Sequence, residues 1–60
     1  MWYISKIEND GDLSYFCGFN SQHKAIWKDT KRNMKKYGSY EEAEEDRDYF
    51  SVSNTVIERV

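Results

Sequence analysis

Four residues, Asn9-Asp10-Gly11-Asp12, separate two stretches that both read as β-strand, and they decide how the first third of the chain folds. Residues 2–8 (Trp-Tyr-Ile-Ser-Lys-Ile-Glu) and 13–19 (Leu-Ser-Tyr-Phe-Cys-Gly-Phe) are rich in β-branched and aromatic side chains, which favour a pleated, half-buried surface. Asp10-Gly11 at the centre of a two-residue loop fits a type I′ turn, where both central residues take positive φ. That loop sets Glu8 opposite Leu13, Lys6 opposite Tyr15, Ile4 opposite Cys17 and Trp2 opposite Phe19. Side chains alternate along a strand, so these eight share one side of the hairpin, the more apolar one, and are expected to face the core. The other side carries Tyr3, Ile7 and Phe16 among Ser5, Ser14 and Gly18, and is expected to meet solvent or a partner. A slip of one residue would exchange the two sides.

The rest of the chain supplies what a hairpin needs to become a domain. Residues 20–24 (Asn-Ser-Gln-His-Lys) form a polar loop, followed by Ala25-Ile26-Trp27. From Lys28 to Lys36 the sequence is basic and admits two readings. Trp27, Thr30, Met34 and Tyr37 follow helical spacing, but a short third strand or extended segment around 33–37 is preferred. Gly38 ends it either way. Ser39-Tyr40-Glu41-Glu42 then reads as a capping box that starts a helix over about 39–50, with acidic residues at the positive end of its dipole. Tyr40, Ala43, Arg47 and Phe50 share the face expected to pack on the sheet. Residues 51–60 are β-prone, with Val52 and Val56 in phase, and are read as a closing strand. The expected architecture is α+β: a small antiparallel sheet with one acidic helix packed on one face, all in a single domain.

Sixty residues with one cysteine, Cys17, have no internal disulfide to lean on. Ten aromatic residues, spread over the whole length, let so short a chain bury more area per residue. Most are assigned to the core and two or three to the surface. A core of this size supplies roughly 3–5 kcal/mol net, which leaves little for a strained, water-free active site. Met1 leads directly into Trp2-Tyr3-Ile4-Ser5-Lys6, and no apolar run approaches a bilayer span, so a reducing cytoplasm is the expected setting.

Catalytic and metal chemistry find little support. His23 is the only histidine, and Cys17 its only soft companion, with no zinc-type spacing behind them. As a nucleophile–base pair they would need a third orienting group, and the register above instead turns Cys17 towards the core as a small apolar residue. The carboxylates of residues 41–48 lie on a helix expected to be solvated, which does not raise a pKa for acid–base work. Gly11, Gly18 and Gly38 are isolated, so there is no phosphate-binding loop. The expectation is a protein that is not an enzyme and has neither cofactor nor metal.

The charge pattern is more informative. Lys24, Lys28, Lys31, Arg32, Lys35 and Lys36 stand against Asp29, a net of +5 over residues 24–36; Glu41, Glu42, Glu44, Glu45, Asp46 and Asp48 stand against Arg47, a net of −5 over residues 39–50. One reading of this bipolarity is two solvated faces that partly neutralise each other, each pair contributing little. A second places the acidic helix in a basic cleft on another protein, through Glu41, Glu42, Glu45, Asp48 and Tyr49, where charge complementarity speeds encounter and fixes orientation. A third gives the basic stretch (Lys28, Lys31, Arg32, Lys35 and Lys36, with Trp27 for stacking) to a nucleic-acid backbone, although the chain is acidic overall at −2. A fourth is self-association into a homodimer through the partly apolar second side of the sheet.

The run Met34-Lys35-Lys36-Tyr37-Gly38-Ser39-Tyr40-Glu41-Glu42-Ala43-Glu44 resembles a pattern in many short accessory proteins of tailed bacteriophages. There an aromatic residue ends a strand, a serine caps a helix and Glu-Ala follows within its first turn; the aromatic hairpin before it is similar too. The resemblance extends over most of the chain as a pattern. It implies an early gene product that binds and inhibits a host or defence protein stoichiometrically in the bacterial cytoplasm, a nuclease, restriction or CRISPR effector, toxin or transcription component, by binding without catalysis. It assigns no role to individual residues.

Overall fold

A computed structural model describes residues 1–50 and 54–60. Strands β1 (Trp2–Ile7), β2 (Leu13–Phe19) and β3 (Ala25–Lys28) follow one another as an antiparallel meander; helix α1 (Tyr40–Phe50) comes next, and β4 (Thr55–Arg59) returns beside β1. The sheet order is β3-β2-β1-β4 with every pair antiparallel, which is the α+β architecture expected from the sequence. The predicted closing strand is β4; Val52, read as in phase with Val56, lies outside the described residues, and Val56 is exposed.

The first hairpin forms, but not with the two-residue turn. Glu8 N–H donates to the Asp12 carbonyl (2.8 Å), and Gly11 N–H donates to the Glu8 carbonyl (2.9 Å). The loop is therefore Asn9-Asp10-Gly11, a type I turn closed by a left-handed residue, and only Gly11 has positive φ (89°). Asp10 caps it, its Oδ1 accepting from the Asp12 amide at 3.0 Å. The extra residue slips the register by one, to Ile7↔Leu13, Lys6↔Ser14 and Ser5↔Tyr15. Along β2 the sides exchange: Phe16, not Tyr15 or Cys17, enters the core, where it is 0% exposed. Phe19 joins it all the same. A bulge between Phe16 and Gly18 shifts the pairing with β3 to Gly18↔Ile26 and Phe19↔Ala25, and the Phe19 ring meets Phe16 edge-on at 5.1 Å. Cys17, at that bulge, is half-buried and donates its thiol to the Tyr15 carbonyl at 3.4 Å.

The second hairpin repeats the first loop. Asn20 N–H donates to the Lys24 carbonyl (2.9 Å) and His23 N–H to the Asn20 carbonyl (3.0 Å). Here the left-handed position is held by His23 (φ 61°) rather than glycine. Asn20 Oδ1 accepts from the amides of Gln22 and Lys24 at 2.8 and 3.0 Å, which holds the loop shut.

The third strand lies at 25–28, not around 33–37, and no helix forms over 27–37. Residues 35–37 are nevertheless extended, with a structural task of their own. The β1–β2 ladder stops at Ser5↔Tyr15. Beyond it the two strands part and residues 35–37 enter the gap: Lys35 N–H donates to the Phe16 carbonyl (2.8 Å), and Trp2 and Tyr37 exchange bonds of 2.9 and 2.8 Å. The segment thus satisfies backbone groups that the parting would leave unpaired. It also buries Tyr37 in the cluster of Ile4, Phe16 and Ala43, with Trp2, Phe19, Ala25, Trp27 and Ile57 packed around it.

Helix α1 covers this face. Ser39 is its N-cap, the hydroxyl accepting from the Glu42 amide at 3.3 Å. Of the expected inward stripe, Ala43 is fully buried, Arg47 is half-buried, and Tyr40 is exposed at its rim with its ring edge-on to Trp2 at 5.3 Å; the side chain of Phe50 lies outside the described part of the chain. Among the described residues the buried surface comes mainly from aromatic side chains before the helix, and the helix adds Ala43 and a polar contact. Tyr37 Oη donates to Asp46 Oδ2 at 2.6 Å.

Candidate functional site

Three surfaces carry the residues singled out in the sequence. The first is the outer face of α1. At about 100° per residue, Glu41, Glu42, Glu45, Asp48 and Tyr49 fall within roughly 120° of arc, on the side away from buried Ala43. The structure brings all five together: each is exposed, Tyr49 by 64%. Tyr49 also packs its ring edge-on against Phe19 at 5.2 Å. The helix's remaining charges are engaged with one another or with the strap before it, residues 29–37 between β3 and the helix cap. Arg47 reaches Glu44 (3.7 Å) and Asp48 (3.8 Å), and Lys35 pairs with Asp46 at 3.0 Å. Glu41, Glu42 and Glu45 have no cationic partner among the described residues. The stripe is about 12 Å long and presents these three carboxylates beside one exposed aromatic ring.

The second surface, the basic stretch, is dispersed by the fold. Lys28 sits in β3 opposite Tyr15. Lys31 bends back over the sheet face opposite the helix, its Nζ 5.2 Å from the Tyr3 ring and 5.6 Å from the Tyr15 ring. Lys35 turns the other way, to Asp46 and the Tyr37 ring (5.1 Å). Arg32 and Lys36 are exposed. Trp27 is half-buried in the core against Phe16 at 5.5 Å, under the Lys6 ammonium at 4.5 Å, so its ring is spent on packing rather than offered for stacking.

The third surface is the sheet face opposite the helix. The register slip gives it Leu13 and Tyr15 in place of Phe16. Tyr3 is buried there, donating its hydroxyl to Glu58 Oε2 at 2.7 Å. That bond, then burial and the carboxylate's charge, raises the Tyr3 pKa above its ordinary value, partly offset by Lys31. Ile7, Leu13 and Val56 are exposed on the same face. A shallow, open depression beside them is lined by Gly11, Asp12, Leu13, Tyr15 and Asp29. The sequence reading missed the Tyr3–Tyr15–Lys31 arrangement, because it depends on the path of the strap and on the one-residue register change.

Cys17 lies half-buried at the bulge, and His23 is exposed in the second hairpin loop. Among the described residues no three His, Cys, Asp or Glu side chains gather at a distance suited to a metal ion. Among the described residues no helix is long and apolar enough to cross a membrane. Comparison with protein-family models, curated proteins and solved structures returns no match.

Proposed function

We propose that the chain is a non-catalytic protein-binding module, a phage-type inhibitor or modulator that docks the outer face of α1 into a basic cleft of a host or defence protein, one to one. The observation that carries this reading is the set of carboxylates Glu41, Glu42 and Glu45, without a cationic partner among the described residues, beside the exposed ring of Tyr49 packed on Phe19. Carboxylates on a rigid helix steer a basic partner over a distance set by ionic strength, and an exposed tyrosine held by its neighbours adds contact area at low entropic cost. The dispersal of Lys31 and Lys35 to opposite faces, and the packing of half-buried Trp27 against Phe16, favour this over a nucleic-acid-binding role for the basic stretch. The resemblance of residues 34–44 to short phage accessory proteins points to the same class of partner.

The test is a capture from bacterial lysate, with and without nuclease treatment, with wild type and with Glu41→Lys/Glu42→Lys/Glu45→Lys side by side. The expected result is a protein retained by wild type, released by salt and absent from the charge-reversed capture. Equal retention by both chains, or retention only of nuclease-sensitive material, overturns the reading.

A further inference from the structure

The face opposite the helix holds a cation in a way the sheet alone does not require. Tyr3 and Tyr15 project from neighbouring strands with ring centroids 6.0 Å apart and planes inclined by 56°, which makes two walls of an open corner. Glu58, on β4, forms the anionic side and is tied to the corner by the 2.7 Å bond from the Tyr3 hydroxyl. The Lys31 ammonium occupies the corner, 5.2 and 5.6 Å from the two ring centroids, the range in which a ring's negative face attracts a cation. Asp12 and Asp29 line the depression that shares Tyr15 as a wall, so the rim is anionic too; Lys28, opposite Tyr15, is the one described cation on β3 that opposes this.

The tenant is on a tether. The strap is anchored at Lys28 in β3 and at Lys35 on the Phe16 carbonyl, while residues 29–33 between them are exposed throughout. Lys31 can therefore leave the corner without breaking a rung of the sheet, and segments this lightly held open at low free energy. We propose that Tyr3, Tyr15 and Glu58 form a cage for a lysine ammonium presented by another protein, with Lys31 its internal occupant that a partner's lysine displaces. The surface is distinct from the outer face of α1 and stands or falls apart from the role given to that face. A plain lysine is the expected guest because the resident is one: the same primary ammonium on the same four-carbon stem already fits.

The test uses N-acetyl-lysine-N-methylamide as the probe, its uncharged norleucine analogue as the control and choline as a quaternary competitor, at constant ionic strength. The readout is the NMR shift of the Tyr3 and Tyr15 ring resonances. Lys31→Ala empties the cage and is expected to give a saturable shift with the lysine amide and none with the norleucine analogue. Wild type is expected to need about tenfold more probe, since the binding-competent state must first be vacated. Adding Tyr15→Leu to Lys31→Ala is expected to abolish the response. Wild type titrated to high probe concentration tests the cage without any substitution. No saturable shift in either chain reduces the Lys31 contact to a staple for the strap and overturns the proposal. Equal response to the norleucine analogue, or tighter binding of choline than of the lysine amide, overturns the choice of guest.

Discussion

Replacing Tyr37 by phenylalanine isolates the contact that fastens the strap to the helix. The ring is 4% exposed and keeps its place beside Ile4, Phe16 and Ala43 in the variant. What is lost is one hydroxyl donating to Asp46 Oδ2 at 2.6 Å. Hydrogen bonds to charged groups contribute about 1.5–3 kcal/mol. Asp46 is about a quarter exposed and keeps Lys35 at 3.0 Å, so the lower end applies, about 1.5 kcal/mol. In a domain of this size that lowers Tm by about 6–12 °C. The contact also carries a pH signature. Burial, then the bond to Asp46 and its charge, hold the Tyr37 pKa well above its ordinary value. The native state thus keeps a proton that the unfolded chain releases above about pH 10. The stabilisation is complete below that pH and is lost as pH rises towards the folded pKa; by about pH 11 roughly 1.4 kcal/mol is gone. The Tyr37→Phe chain has no such loss. Urea denaturation followed by tryptophan fluorescence should therefore show wild type above Tyr37→Phe at neutral pH and the two converging near about pH 11. Other alkaline titrations, Tyr3 included, are shared by both chains and cancel in the difference. A gap that is absent at neutral pH, or unchanged throughout the alkaline range, refutes the role given to this bond.

The two hairpin loops give a matched pair of backbone predictions. His23 at φ 61° carries a left-handed strain that glycine avoids, and His23→Gly should raise stability by about 0.5 kcal/mol after glycine's extra unfolded-state entropy is set against it. Gly11→Ala should lower stability by about 1 kcal/mol; the cost is all backbone, because a Cβ there would meet nothing within 4 Å. Both are read from urea midpoints, and the same sign for the two would contradict the turn assignment. Ser39→Ala removes the N-cap acceptor of the Glu42 amide and should cost about 1 kcal/mol with loss of helical circular dichroism at the melting midpoint; an unchanged midpoint would mean that the cap is idle.

Local chemistry was legible in the sequence, and non-local geometry was not. Ser39 with Glu42 located α1, and helical spacing set Glu41, Glu42, Glu45 and Asp48 apart from the packed face, because both signals act over a few turns of one helix. The hairpin was legible, but its register was not: Asp10-Gly11 suits a two-residue turn, while Asn9 extends the loop by one, and a single residue moves Phe16 from one side to the other. The bulge then returned Phe19 to the core by a route the alternation rule does not contain. The four residues of β3 are too few to show a period, and the basic strap after them masked the extended segment at 35–37, whose partners are the parted strands β1 and β2. The Tyr3–Tyr15–Glu58 corner escaped for the same reason, since its members come from three strands and its occupant from a loop.

The proposed docking joins the outer face of α1 to a basic surface of another protein. It is tested most directly by the affinity of wild type and of Glu41→Lys/Glu42→Lys/Glu45→Lys for the purified captured protein, by calorimetry at low and at physiological salt. One-to-one binding that weakens as salt rises is expected for wild type, with a loss of at least about 100-fold in the variant, the scale expected when like charges replace complementary ones. Binding of the variant with unchanged affinity and stoichiometry would contradict it.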